Sequence, residues 1–137
     1  MTNFTVHSLS PALGAEIRGL DLTRPLDAET IVALRAAWLD HLVLVFRGNR
    51  ISEDDQAQFA EYFGETVGAR AKQRGDGGDR RLMLISNIRE NGAPIGSLPD
   101  GELMFHSDSV FLEKPLMGSM LYAEEIPSIG GNTMFAN

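Results

Sequence analysis

Cysteine is absent from this 137-residue chain. Its absence excludes disulfides and every thiolate metal site, and it accords with a reducing cytoplasm, the compartment expected for the protein. Long apolar runs are missing as well. The longest strongly apolar stretch, Leu42-Val43-Leu44-Val45-Phe46, falls far short of the roughly 20 residues that a membrane-spanning helix needs. Met1 to Ser10 offers neither the basic opening nor the apolar centre of a signal peptide. Positive charge is in deficit: 12 Lys and Arg against 19 Asp and Glu leave a net charge of -7. Without a basic face, neither nucleic acid nor an anionic membrane surface is an expected partner.

What is present suits one soluble domain over residues 1–137. Apolar residues make up 43% of the chain, enough for a real core. Ala15 to Arg18, between Gly14 and Gly19, reads as a short strand bounded by turns. Asp27 stands where it can cap a helix, and Ile31, Leu34, Trp38 and Leu42 recur along one face of that helix at three- and four-residue spacing. Such a face is expected to pack on a sheet. Leu42 to Phe46 has the pattern of a strand buried on both faces. Ser52 opens a second helix, with Glu53, Asp54 and Asp55 in its first turn and Phe59 and Phe63 along its apolar edge. Gly64 is expected at the left-handed position that ends it.

Between residues 70 and 81 the character changes. Arg70, Lys72, Arg74, Arg80 and Arg81 stand among Gly75, Gly77 and Gly78, the composition of an exposed loop. In an acidic protein such a loop either attracts an anionic substrate or is simply solvated. Leu82 to Ile85 reads as a further strand running toward Asn87, and a second Gly- and Pro-rich loop follows from Asn91 to Gly101. Met117 to Ala123 and Thr133 to Ala136 read as strands, joined through a turn at Ile126 to Gly131. Strand, helix, strand, helix and then mostly strands is an α+β order.

Phe105-His106-Ser107-Asp108 carries the chemistry. On a strand, residues two apart point to the same face, so His106 and Asp108 would present an imidazole nitrogen and a carboxylate oxygen together. That is two-thirds of the 2-His-1-carboxylate face that leaves positions open on non-haem Fe(II). The same pair equally suits a His–Asp hydrogen bond at a strand end, and spacing alone leaves both readings open. A metallohydrolase of the His-x-His-x-Asp type would need a second His two residues before His106, where Met104 stands.

A longer set of residues bears on the choice. Phe105 to Phe111, Glu113-Lys114-Pro115, Leu121 to Pro127 and Gly130 to Phe135 follow one another in an order that resembles the TauD/TfdA family of Fe(II)- and 2-oxoglutarate-dependent dioxygenases. Gly14 to Ile17, Gly19 to Leu22, Leu42 to Arg47 and Phe63-Gly64-Glu65 fall in the family's order too. The resemblance covers essentially all of this chain but only the first half or so of a family member.

The resemblance implies a double-stranded β-helix, or jelly-roll, whose two sheets enclose the metal, here incomplete at the C-terminus. It implies an oxidoreductase that uses Fe(II) and 2-oxoglutarate to hydroxylate a small, anionic, taurine-like substrate, releasing succinate and CO2. By position in the family motif, His106 and Asp108 are the first two metal ligands. Thr133 would hydrogen-bond 2-oxoglutarate and Leu121 would line its pocket. Asn87 and Phe105 would stand on the substrate side, Phe105 replacing the family's common Trp. Thr133 is otherwise a strand-opening residue, Leu121 a buried core residue and Asn87 a strand-end residue satisfying backbone groups. His7 and His41 precede the motif and read as structural or surface residues. The family's distal His and the Arg after it have no counterpart among these residues, so the chain is expected to be the N-terminal portion of an enzyme, with little turnover alone. The alternatives are a non-catalytic remnant or interaction module of the same fold, and a homo-oligomer or other assembly in which another chain completes the site.

Overall fold

The computed structural model describes residues 3–66, 82–97 and 104–137. The basic stretch between Arg70 and Arg81, and Pro99 and Gly101 of the second expected loop, lie outside the described residues. The chain divides into two compact units, Met1–Phe63 with Ile129–Asn137, and Gly64–Ser128. Helix and strand coexist, as an α+β order requires. The described strands form a three-stranded sheet and a two-stranded ribbon, and the paired sheets of a jelly-roll are not formed among them.

In the first unit the expected strand appears with its expected limits, as β2 (Ala15–Arg18). Gly14 and Gly19 flank it with φ of +92° and +89°, a region open to glycine and costly for residues with a Cβ. β1 (Thr5–Ser8), which the sequence reading passes over, pairs antiparallel with β2, Thr5 opposite Arg18 and Ser8 opposite Ala15. β3 (Leu44–Phe46) pairs parallel on the other side, Ala15 opposite Leu44 and Ile17 opposite Phe46. A parallel pair needs a long crossover, and α1 (Ala28–His41) lies within it and packs on β3. β2 is thus the central strand. Ala15 and Ile17 are buried, whereas Glu16 points the other way and pairs with Arg18 at 2.8 Å. Among the described residues β3 is an edge strand and only half-buried, which corrects the reading of a run buried on both faces.

Asp27 caps α1 as expected, its Oδ1 accepting the Thr30 N–H at 2.7 Å. The buried positions are Thr30, Leu34 and Ala37, spaced by four and three, with Ile31 and Trp38 half-buried beside them. Leu42 is not part of this face. It is exposed and sits at φ +65°, and the Val43 N–H bonds the His41 carbonyl at 2.7 Å across it. This three-residue turn reverses the chain from α1 into β3, at a backbone cost that a leucine ordinarily avoids.

Ser52 caps α2 (Glu53–Glu61) in a reciprocal box. The Asp55 N–H bonds Ser52 Oγ at 3.2 Å, and the Ser52 N–H bonds Asp55 Oδ2 at 2.9 Å. Three acidic residues in the first turn complement the helix dipole. The expected glycine stop fails: the cap is Tyr62 in right-handed geometry, and Gly64 has no positive φ. Phe59 is buried at the centre of an aromatic cluster, with Phe46, Tyr62 and Phe63 at centroid distances of 5.3, 6.1 and 5.5 Å. Trp38 stands edge-on to Phe63 at 5.5 Å. Burying such a side chain contributes about 2 kcal/mol, so this cluster is a main anchor of α2.

In the second unit the Asn91-Gly92 dipeptide makes the tight turn of a hairpin, with φ of 51° and 82°. It joins β4 (Arg89–Glu90) to β5 (Ala93–Pro94), which corrects the reading of a plain loop there. Asn-Gly is the favoured pair for such turns because both positions need positive φ. The strand expected over Leu82 to Ile85 shrinks to one bridge, Ile85 to Ser97. No strand forms over Met117 to Ala123, nor, in the first unit, over Thr133 to Ala136. A strand needs a partner for its backbone groups, and among the described residues none pairs with these segments. Within the turn expected over Ile126 to Gly131 the chain bends at Ser128 and Ile129, and Gly130 and Gly131 have positive φ.

Candidate metal site

His106 and Asp108 belong to the second unit and lie in irregular chain rather than on a strand. The strand argument for their common face therefore does not apply, yet their side chains meet. His106 Nε2 stands 3.2 Å from Asp108 Oδ1. Immediately afterwards Ser109 adopts φ +54°, and the Leu112 N–H bonds the Ser109 carbonyl at 3.0 Å. A turn thus follows directly on the second member of the pair.

The imidazole is fixed from its other side. Nδ1 lies 2.8 Å from the Met104 carbonyl oxygen. A carbonyl can only accept, so Nδ1 carries the proton and Nε2 is the nitrogen left to face Asp108. The hydrogen bond to Met104 raises the His106 pKa above the usual imidazole value, partial desolvation opposes it, and the hydrogen bond and charge of Asp108 raise it further. The second carboxylate oxygen is also engaged: Ser119 Oγ–H donates to Asp108 Oδ2 at 2.5 Å. Both members of the pair remain about half exposed, at 54% and 53% of their side-chain area.

These features suit a metal ion as well as a proton. A metal-binding His ordinarily donates its second ring N–H to a carbonyl or carboxylate, which orients the ring and selects the tautomer. The Met104 carbonyl does that here. Two adjacent ligands each about 2.1 Å from a small divalent ion stand roughly 3 Å apart, close to the observed separation of Nε2 and Oδ1. Among the described residues no cluster of three or more His, Cys, Asp or Glu forms that could hold a metal ion, so His106 and Asp108 have no third such side chain beside them there.

The other sequence candidates are placed as follows. Phe105 and Leu121 belong to the same unit and are 67% and 62% exposed. Leu121 is thus not buried among the described residues. Asn87, exposed as well, follows the Ile85 bridge and precedes the hairpin. Thr133 is exposed in the first unit and opens no strand. His7 lies in β1, its Nε2 3.0 Å from Thr5 Oγ1, and His41 ends α1, its carbonyl accepting the Gly14 N–H. Sequence reading missed Ser119 and the Met104 carbonyl. A serine eleven positions beyond the carboxylate breaks no pattern, and a backbone oxygen leaves no mark in sequence.

The family model "Taurine catabolism dioxygenase TauD, TfdA family" matches residues 5–137. The chain is 33% identical over 146 residues to an (S)-phenoxypropionate/alpha-ketoglutarate-dioxygenase of Delftia acidovorans, a match covering 99% of this chain and 47% of that protein. It is 35% identical over 134 residues to an alpha-ketoglutarate-dependent sulfate ester dioxygenase of Pseudomonas putida, covering 96% of this chain and 41% of that one. The chain therefore spans less than half the length of these relatives. A solved taurine dioxygenase from Burkholderia xenovorans aligns with a TM-score of 0.48 and 35% identity, over 50% of this chain and 26% of its own.

Proposed function

The chain belongs to the TauD/TfdA family, and from that premise we propose that it supplies the His106–Asp108 half of the iron site in an Fe(II)- and 2-oxoglutarate-dependent dioxygenase. The observation that carries the reading is the paired geometry: Nε2 and Oδ1 at 3.2 Å, with Nδ1–H tied to the Met104 carbonyl. That bond keeps the proton on Nδ1 and leaves the Nε2 lone pair available once the ring is neutral. Asp108, held by Ser119, presents its other oxygen alongside. When bound, Fe(II) would supply the Lewis-acid and redox chemistry by which O2 oxidises both partners, one oxygen atom entering succinate as 2-oxoglutarate loses CO2 and the other becoming the hydroxyl of the substrate.

The remaining assignments rest on position in the family motif. Thr133 would hydrogen-bond 2-oxoglutarate, Leu121 would face it, and Asn87 and Phe105 would contact substrate. The distal His and the Arg that pairs with 2-oxoglutarate would come from outside these residues, and the complete domain would be a jelly-roll. The substrate is taken to be a small organic anion. The two relatives are named for a carboxylate and for sulfate esters, which share a compact negative group beside an apolar body. No helix among the described residues is long and apolar enough to cross a membrane.

The test is succinate release from 2-oxoglutarate by the natural protein carrying this sequence, supplied with Fe(II) in air. The panel comprises aryloxypropionates, short alkyl sulfate esters and taurine. Turnover with at least one of these anions, lost in His106→Ala and in Asp108→Ala, is the expected result. Turnover that survives either substitution overturns the reading.

A further inference from the structure

We propose that Ser119 is a positioning residue that commits Asp108 to binding metal through one oxygen. The proposal rests on the metal-site reading above and concerns how the carboxylate is held. Its two oxygens have different partners: Oδ1 faces His106 Nε2 at 3.2 Å, and Oδ2 accepts the Ser119 hydroxyl at 2.5 Å. A hydroxyl-to-carboxylate bond of that length belongs to the charge-assisted class, about twice as strong as a neutral hydrogen bond. It spans 11 residues of chain, so it ties the segment before Leu121 to the ligand motif.

The consequence follows from the freedom of the group. The terminal torsion of an aspartate is broad and two-fold, so an exposed carboxylate exchanges its oxygens readily. A free carboxylate can also grip an ion with both oxygens, as carboxylates do at calcium sites. Either behaviour would cost a site that must keep positions open for co-substrate and oxygen. The Ser119 bond occupies Oδ2 and turns Oδ1 toward the imidazole. Ser119 does for Asp108 what the Met104 carbonyl does for His106. Together they orient both ligands before any metal arrives, which removes part of the ordering cost of binding.

The experiment is a titration with Mn(II) alone, the free ion followed by electron paramagnetic resonance. It uses the full chain and the variants Ser119→Ala, Ser119→Thr, His106→Ala and Asp108→Ala, with thermal midpoints measured in parallel. Because Ser119 is exposed, Ser119→Ala should leave the midpoint unchanged while weakening Mn(II) binding roughly tenfold, the lower end for such supporting groups. Ser119→Thr keeps the hydroxyl and should bind as the wild type does. If Ser119→Ala binds as tightly as wild type while His106→Ala and Asp108→Ala lose binding, the metal site stands and the role of Ser119 falls. The role also falls if Ser119→Thr is as weak as Ser119→Ala. If His106→Ala and Asp108→Ala bind as wild type does, the metal-site reading itself falls, and this proposal with it.

Discussion

His106 Nε2 and Asp108 Oδ1 stand 3.2 Å apart although neither residue lies in a strand. Their approach is fixed by what holds each of them, the Met104 carbonyl on one side and the Ser119 hydroxyl on the other. Strand periodicity would put the two side chains on one face, but they meet here without a strand.

Because the Met104 hydrogen bond and then Asp108 favour the imidazolium, the metal-free His106 pKa should lie above the ordinary imidazole value near 6.5. The pair's contribution to stability is therefore fully present below that ordinary value and is lost as pH rises through the higher folded-state pKa. Metal competes for the same nitrogen, so metal occupancy should fall as pH drops through the raised value. A nuclear magnetic resonance titration of the imidazole reads this directly, and Asp108→Asn should bring the pKa part of the way down. A His106 pKa at or below the ordinary value contradicts the geometry.

The helix caps were legible because their chemistry is local. Removing the Ser52 hydroxyl takes away the acceptor for the Asp55 N–H and half of the reciprocal box. Ser52→Ala should lower stability by about 1 kcal/mol. Denaturant unfolding followed by the fluorescence of Trp38, the only tryptophan, should show an earlier midpoint with unchanged slope. An unmoved midpoint would mean that the box adds nothing.

Phe59 joins α2 to the sheet through Phe46 and touches Tyr62 and Phe63. Phe59→Ala should cost about 3–5 kcal/mol, the range for emptying a buried aromatic position. Circular dichroism in urea would show it as a large loss of the helical transition. A cost below 1 kcal/mol would mean that the cluster does not anchor α2.

Much of the second unit's apolar side-chain area faces solvent. Met104, Phe111, Met117 and Ile126 are each more than two-thirds exposed, and among the described residues no strand covers the segments that carry them. Apolar area on this scale promotes association, so the isolated chain should self-associate with rising concentration. Sedimentation velocity is the check; a single monomeric species across the micromolar range would contradict it.

The first unit could be read from sequence because its elements are set by near neighbours. Gly14 and Gly19 bracket β2, Asp27 and Ser52 open the helices, and of the expected face Ile31, Leu34 and Trp38 are buried or half-buried. What escaped depends on partners distant in sequence. β1 shows no burial pattern, all four residues being exposed, and only its pairing with β2 makes it a strand. The apolar runs near Met120 and Met134 have strand composition but pair with no strand among the described residues, so composition misleads there. Leu42, an apolar residue at positive φ, marks a reversal that hydropathy alone would continue as helix or strand. At the candidate site the His106–Asp108 pair was visible as a motif, whereas the groups that bond to it, a backbone carbonyl and a distant serine, were not.

On the function proposed above, His106 Nε2 and the Asp108 carboxylate together hold a divalent metal ion. The most direct measurement is Mn(II)-induced line broadening across the chain's nuclear magnetic resonance spectrum, at a pH above the raised His106 pKa. Broadening should appear first at the His106 ring and around Asp108, and should vanish from both in either His106→Ala or Asp108→Ala. Broadening scattered over the surface carboxylates, or unchanged by both substitutions, would contradict the claim.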